Sequence, residues 1–194
     1  HPDDQLATIV DANQHSVTLT SDALARINSR TYPGGAVFST VFDGEGNAKT
    51  ETNPDTSITR TFDALNRPKQ IAFVGAASGR ESATITSTFD PNSNPTATSL
   101  TQDSRTLALQ RAYDALNRPE QESASVGAHP GAIPNPYAHT QRYVLDGNGN
   151  RIRITDAQGK ITTQTFDAFN RITSTTTAGE GATTNDWNKD GTLA

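Results

Sequence analysis

Short runs of β-branched and aromatic residues alternate along this chain with compact clusters of Asp, Asn, Gly and Pro. Ile58-Thr-Arg-Thr-Phe62 and Ile161-Thr-Thr-Gln-Thr-Phe166 are typical runs, and their composition favours strand. The clusters between them have the composition of tight turns. No stretch carries apolar residues at helical spacing. Asp22-Ala-Leu-Ala-Arg26 comes nearest, but it aligns with the turn clusters. The pattern predicts an all-β chain of short strands joined by turns.

The clusters recur in register. Aligned on an aromatic residue followed by Asp, they give Phe42-Asp43, Phe62-Asp63, Phe89-Asp90, Tyr113-Asp114 and Phe166-Asp167. Ser21-Asp22, Leu145-Asp146 and Trp187-Asn188 are variants. The base period is about 21 residues, with insertions in the middle of the chain, and a fixed period of this size marks a repeat architecture. A second turn precedes most anchors, as in Asp11-Ala-Asn-Gln, Pro33-Gly-Gly, Asn53-Pro-Asp, Asp103-Ser-Arg and Asp156-Ala-Gln-Gly. The unit is therefore turn, strand, turn, strand, a β-hairpin.

The turn residues have mechanical reasons to be where they are. In Asp63-Ala-Leu-Asn66, Asp114-Ala-Leu-Asn117 and Asp167-Ala-Phe-Asn170, a leading Asp can accept backbone N–H groups two residues on. The closing Asn tolerates a left-handed backbone, as does Gly149 after Asp146. A type I turn followed by a left-handed residue is a common hairpin connection. Two inserts read as loops: Val74 to Gly79, rich in small residues, and a Pro/Gly/Ser-rich stretch at 123–141.

Composition narrows the architecture. Only 32% of residues are hydrophobic and the mean hydropathy is -0.62, too polar for a thick core. A one-layer sheet fits, because backbone ladders satisfy its polar groups with few buried side chains. The net charge of -5 disfavours a nucleic-acid partner, and no apolar run is long enough for a membrane helix. Cysteine is absent, which removes disulfides and thiolate chemistry. Methionine is absent and the first residue is His1, so the chain is expected to be cut from a longer polypeptide. The lack of an N-x-Ser/Thr sequon points towards a bacterial source.

Phe62-Asp-Ala-Leu-Asn-Arg67, Tyr113-Asp-Ala-Leu-Asn-Arg118, Phe166-Asp-Ala-Phe-Asn-Arg171 and Asp146-Gly-Asn-Gly-Asn-Arg151 resemble the YD repeat, a Tyr-Asp step, two variable residues, then Gly-Arg. That repeat defines the RHS/YD-repeat family, which includes bacterial RHS polymorphic toxins, Tc-toxin C components and teneurins. Asn stands where Gly is usual, Phe often stands for Tyr, and Pro68 and Pro119 follow the Arg. The resemblance implies tandem antiparallel β-hairpins in a curved, spiralling single-layer sheet, part of a hollow shell that encloses a C-terminal toxin. It implies one repeat array over 1–194, with adjacent repeats and enclosed cargo as partners, secreted or delivered by a bacterial secretion system. The family's Asp-Pro-x-Gly core-closing motif is not recognisable, and Asp90-Pro-Asn-Ser reads as a turn.

Candidate sites are few. The repeat-turn positions Asp43, Asp63, Asn66, Arg67, Asp90, Asp114, Asn117, Arg118, Asp146, Gly149, Arg151, Asp167, Asn170 and Arg171 are read as structural. Arg67, Arg118, Arg151 and Arg171 are read as one repeat position, pairing with Asp or carbonyls rather than binding an acidic glycan. Phe42, Phe62, Phe89, Tyr113 and Phe166 are expected to stack as a ladder. Asp186, Asn188 and Asp190 match the start of a calcium loop, D-x-N-x-D-G, but align equally as the last turn. His1, His15, His129 and His139 lack ligand spacing, and Ser78 has no nucleophile-elbow context. No catalytic residue or cofactor is expected. Two readings remain: a non-catalytic shell segment, or an extracellular carbohydrate-binding surface with the 123–141 insert as contact.

Overall fold

The computed structural model describes residues 6–75, 82–103, 105–127 and 139–194. Its strands are β1 (Thr8–Val10), β2 (Ser16–Ser21), β3 (Ile27–Thr31), β4 (Val37–Phe42), β5 (Ala48–Thr52), β6 (Thr56–Phe62), β7 (Pro68–Gly75) and β8 (Ala83–Phe89). They continue with β9 (Pro95–Gln102), β10 (Arg105–Tyr113), β11 (Pro119–Val126), β12 (His139–Leu145), β13 (Arg151–Thr155), β14 (Ile161–Phe166), β15 (Ile172–Thr177) and β16 (Ala182–Thr184). The sixteen strands follow sequence order in one antiparallel sheet, and the described residues include no helix. The chain divides into two units, His1–Ser87 with Ser99–Ser104, and Thr88–Thr98 with Arg105–Ala194.

Both units are thin. Among the described residues, the buried hydrophobic side chains are Leu19 and Tyr143. With so little apolar burial, cross-strand ladders and side-chain hydrogen bonds carry much of the cohesion. Thr165 and Thr173 meet through their hydroxyls at 2.9 Å, Thr88 and Thr96 at 3.0 Å, and Thr20 donates to Asn28 at 2.8 Å. Each of these pairs joins the residue before an anchor to the return strand.

The return strand carries one extra residue at a fixed place. Thr61 faces Gln70 but Phe62 faces Pro68, which leaves Lys69 as a bulge. The same slip leaves Asn28, Lys49, Glu120, Ile152 and Thr173 unpaired in their hairpins. An inserted residue of this kind bends the strand and increases local twist.

Strand boundaries narrow the two expected inserts. β7 runs to Gly75, so Val74 belongs to a strand; Ser78 lies outside the described residues. β11 continues to Val126 and β12 begins at His139, which makes both ends of the 123–141 stretch strand rather than loop. Ser123 pairs with Thr140 and Ala124 with His139, because these residues extend the ladder of β11 and β12. Residues 128–138, His129 included, lie outside the described residues.

Candidate functional site

The repeated aspartates sit at the hairpin ends, each as the first residue of a turn. At Asp63 the backbone N–H bonds the Arg67 carbonyl and the Asn66 N–H bonds the Asp63 carbonyl, both at 3.0 Å. Asn66 then takes φ 58°, and Asn117 and Asn170 take 62°. At the same position Ala25 takes 63° and Ser93 takes 70°, with less local compensation.

Each carboxylate is consumed by its own turn. One oxygen of Asp63 accepts the N–H groups of Leu65 and Arg67, and the other accepts Arg67 Nε at 2.6 Å. Asp22, Asp114 and Asp167 repeat this with Arg26, Arg118 and Arg171. Asp43, Asp90 and Asp146 instead accept the side-chain amide of Asn47, Asn94 or Asn150. Over the seven aspartate anchors arginine and asparagine alternate, in the order Arg26, Asn47, Arg67, Asn94, Arg118, Asn150, Arg171, and the eighth anchor, Asn188, bonds Thr192 instead.

The same side chains also reach the next hairpin. In the first unit, the Arg26 guanidinium lies 4.2 Å from the centre of the Phe42 ring, and Asn47 donates to Asn66 Oδ1 at 3.0 Å. In the second unit, Asn94 donates to Asn117 Oδ1 at 2.8 Å and Asn150 to Asn170 Oδ1 at 2.9 Å. Arg118 Nη1 donates to the Asp146 carbonyl at 2.6 Å. Arg171 reaches the Asn188 carbonyl at 3.4 Å and lies 5.2 Å from the Trp187 ring. Asparagine thus grips the next left-handed residue, and arginine grips the next turn's carbonyl or ring.

Arg151 does not share the position of Arg67, Arg118 and Arg171. Asn150 fills the brace position after Gly149, and Arg151 lies one residue further on, 3.9 Å from the Tyr143 ring. The shared Asn-Arg step misaligns Asp146-Gly-Asn-Gly with the other units. The ring ladder needs correction too. Anchors on consecutive hairpins are two strands apart, roughly 9.6 Å, beyond the usual reach of paired rings. A guanidinium covers Phe42, and among the described residues Tyr32 and Phe38, neither of them an anchor, pair edge to face at 5.2 Å. Anchor rings with a polar tip use it differently: Tyr113 donates to the Pro95 carbonyl at 3.1 Å and Trp187 to the Ile172 carbonyl at 2.8 Å.

Electrostatics follow these contacts. The side-chain bond from Arg26, Asn47, Asn150 or Arg171 holds Asp22, Asp43, Asp146 or Asp167 below the ordinary carboxylate range. For Asp114 the leading cause is the Arg118 backbone N–H. At Asp63 partial removal from water is the largest influence and opposes the shift, but the Arg67 backbone and side-chain bonds still leave it lowered. Such carboxylates stay ionised near neutral pH with their acceptor sites occupied, so they suit bracing rather than proton transfer.

A second cluster gave no repeat signal. Glu122 faces Arg111 across β10 and β11 and accepts its Nε at 2.8 Å. The other Glu122 oxygen accepts the Tyr143 hydroxyl at 3.1 Å. Burial, then the Glu122 contact, pushes the Tyr143 phenol up, while the Arg111 bond draws Glu122 down.

At the chain's final turn, Asp190 accepts the Thr192 N–H and hydroxyl, and Asn188 donates to Thr192 Oγ1. The Asp186 carbonyl accepts the Ala194 N–H. Among the described residues, no group of three or more His, Cys, Asp or Glu converges as a metal site. His15 pairs with Asp11 at 3.1 Å beside a shallow cavity of about 400 Å³, lined by Ile9, Val17, Tyr32 and Pro33 as well.

Fold and braces together define a single-sheet array of tandem β-hairpins. Residues 146–183 match the RHS Repeat family model, so the likeness to RHS/YD repeats is present in sequence as well as in fold. Two solved structures share the architecture, "Crystal Structure of TcdB2-TccC3-Cdc42" and "Crystal Structure of TcdB2-TccC3 without hypervariable C-terminal region". Each aligns with a TM-score of 0.59 and 11% identity, over 96% of this chain and 11% of the other. At that identity the likeness is one of fold, and this chain spans about a ninth of those chains. No curated protein matches the sequence.

Proposed function

We propose that this chain is a non-catalytic structural segment of a longer RHS-repeat wall that encloses a toxin or other cargo before delivery. The observation that carries this reading is the use of the repeated charged and amide side chains, which brace their own turns and the following hairpin. The fold likeness to the TcdB2-TccC3 structures supports it. Its partners are then the adjoining repeats of the longer chain and the enclosed cargo, in a protein secreted or delivered by a bacterial secretion system. The test is limited proteolysis of the longer protein. Cargo protected with the wall intact, and cleaved once Arg67, Arg118 and Arg171 are replaced by Ala, is the expected result. Equal cleavage in both overturns the reading.

One observation favours a carbohydrate-binding surface instead, the cavity in which the half-exposed Tyr32 ring stands near the His15–Asp11 pair. An aromatic face beside polar groups suits a sugar ring. A glycan array with the wild-type chain and Tyr32→Ala decides it: binding lost in the variant supports this reading, and no binding by wild type removes it.

A further inference from the structure

Neighbouring hairpins of the first unit separate in the same way towards their aspartate turns. β3 and β4 last pair at Ser29 with Ser39, and β5 and β6 at Thr50 with Thr59. In both places the last pair stands three residues from the brace residue, Arg26 or Asn47, and three from the next anchor ring, Phe42 or Phe62. The two gaps are thus alike in backbone and differ in what fills them. Arg26 spans the first, its guanidinium 4.2 Å from the Phe42 ring centre and 2.7 Å from the Asp22 carboxylate. Asn47 is too short to do the same and turns to Asn66 Oδ1 at 3.0 Å. Among the described residues, no guanidinium lies over Phe62. The second gap is an open cleft of about 480 Å³, lined by Phe62, Arg60, Lys49, Asp43 and Glu45 among others. That lies within the range of small-molecule sites, roughly 300–1,000 Å³.

The cleft also lacks the charge that Arg26 supplies to the first gap. Asp22 and Asp63 are each neutralised by the arginine of their own turn. Among the described residues, Asp43 accepts backbone N–H groups and the Asn47 amide but no cation, so its charge stands uncancelled. Glu45, exposed at the turn tip, adds a carboxylate without a partner among the described residues. Arg60 is already matched by Glu51, and its Nη1 donates to the Ala48 carbonyl at 3.3 Å. Lys49 opposes an incoming cation, but it is exposed and its long stem lets the ammonium stay in water.

We propose that this cleft takes an alkylguanidinium, the head group of an arginine side chain, laid on the Phe62 ring beside Asp43 and Glu45 as Arg26 lies on Phe42. A guanidinium suits the place better than an ammonium, because its plane stacks on a ring while its edge donates to carboxylates. The contact is open to water and the binding weak, with a Kd on the order of 1 mM. It does not require that the array enclose anything.

NMR titration of the 194-residue chain with butylguanidinium tests the proposal. Amide signals near Glu45 and Phe62 should shift saturably, and butylammonium, of equal charge, should bind more weakly. Binding of acetyl-arginine amide at the same signals assigns the group to a peptide, and butylguanidinium binding without it assigns a free small molecule. Phe62→Leu should weaken binding about fivefold. Glu45→Gln, a change at an exposed turn tip, should weaken it about threefold. Asn47→Arg gives up the Asn66 bond but fills the cleft from within, and should abolish binding. Far-UV circular dichroism checks the folding of each, and Glu45→Gln keeps the test decisive if the other two fail to fold. Glu120→Gln, the same charge change in the second unit, should leave binding alone. The proposal is overturned by a wild type without saturable shifts, by equal binding of butylammonium, or by an affinity that Glu45→Gln leaves unchanged or lowers no more than Glu120→Gln. Binding that a folded Asn47→Arg variant retains overturns it too.

Discussion

Arg118 holds two hairpins at once: its Nε lies 2.7 Å from its own Asp114, and its Nη1 lies 2.6 Å from the carbonyl of Asp146, 28 residues further along. A planar fork can serve both acceptors, whereas a lysine is a single point of charge. Arg118→Lys should therefore cost about 1–2 kcal/mol despite keeping its charge. Urea unfolding measures it, and a lysine variant with the wild-type midpoint would show that charge alone suffices.

Acid should loosen the array. Asp22, Asp43, Asp114, Asp146 and Asp167 have folded pKa values below their ordinary ones. As pH falls, the unfolded chain binds protons first. The contribution is complete above the ordinary carboxylate range near about 4 and is lost as pH drops through the lower folded values. Denaturation midpoints should hold steady from neutral pH to mildly acidic pH and then fall. Asp114→Asn should start lower at neutral pH and fall less steeply.

Phe166→Tyr should stabilise the second unit by about 0.5–1.5 kcal/mol. Tyr113 and Trp187 each donate to the carbonyl five residues after the preceding anchor Asp, at Pro95 and Ile172. The equivalent carbonyl for residue 166 is that of Arg151. Thermal unfolding of the variant beside wild type reads the gain, and a lowered midpoint would show that the hydroxyl finds no acceptor.

Ala25 holds φ 63° at the position that Gly46, Asn66, Asn117, Gly149 and Asn170 fill in other turns. Ala25→Gly should raise stability by about 1 kcal/mol, because glycine enters the left-handed region without steric cost. Unfolding by urea is again the measure, and an unchanged midpoint would show that the turn already relaxes the strain.

Glu122→Gln should bring the Tyr143 phenol part of the way back towards its ordinary pKa. Burial remains, but the neighbouring carboxylate that disfavours the phenolate is gone. Ultraviolet titration of the phenolate band reads the change.

The turns were legible in the sequence because their chemistry is local. Asp63, Asn66 and Arg67 act within five residues, and the types required are visible in the string. The braces were less legible because they join residues such as Asn47 and Asn66, or Asn150 and Asn170, in different repeats. Counting four residues from each Asp, rather than matching Asn-Arg pairs, would have placed Asn150 correctly and exposed the alternation. The Arg111, Glu122 and Tyr143 cluster left no periodic trace, since it depends on the register of β10, β11 and β12.

The two kinds of brace give the array a parity. Excising one hairpin would set an arginine turn against another arginine turn, or asparagine against asparagine, and the left-behind amide or guanidinium would face the wrong acceptor. Excising two would restore the order. Lengthening or shortening such a protein is therefore least disruptive in even steps.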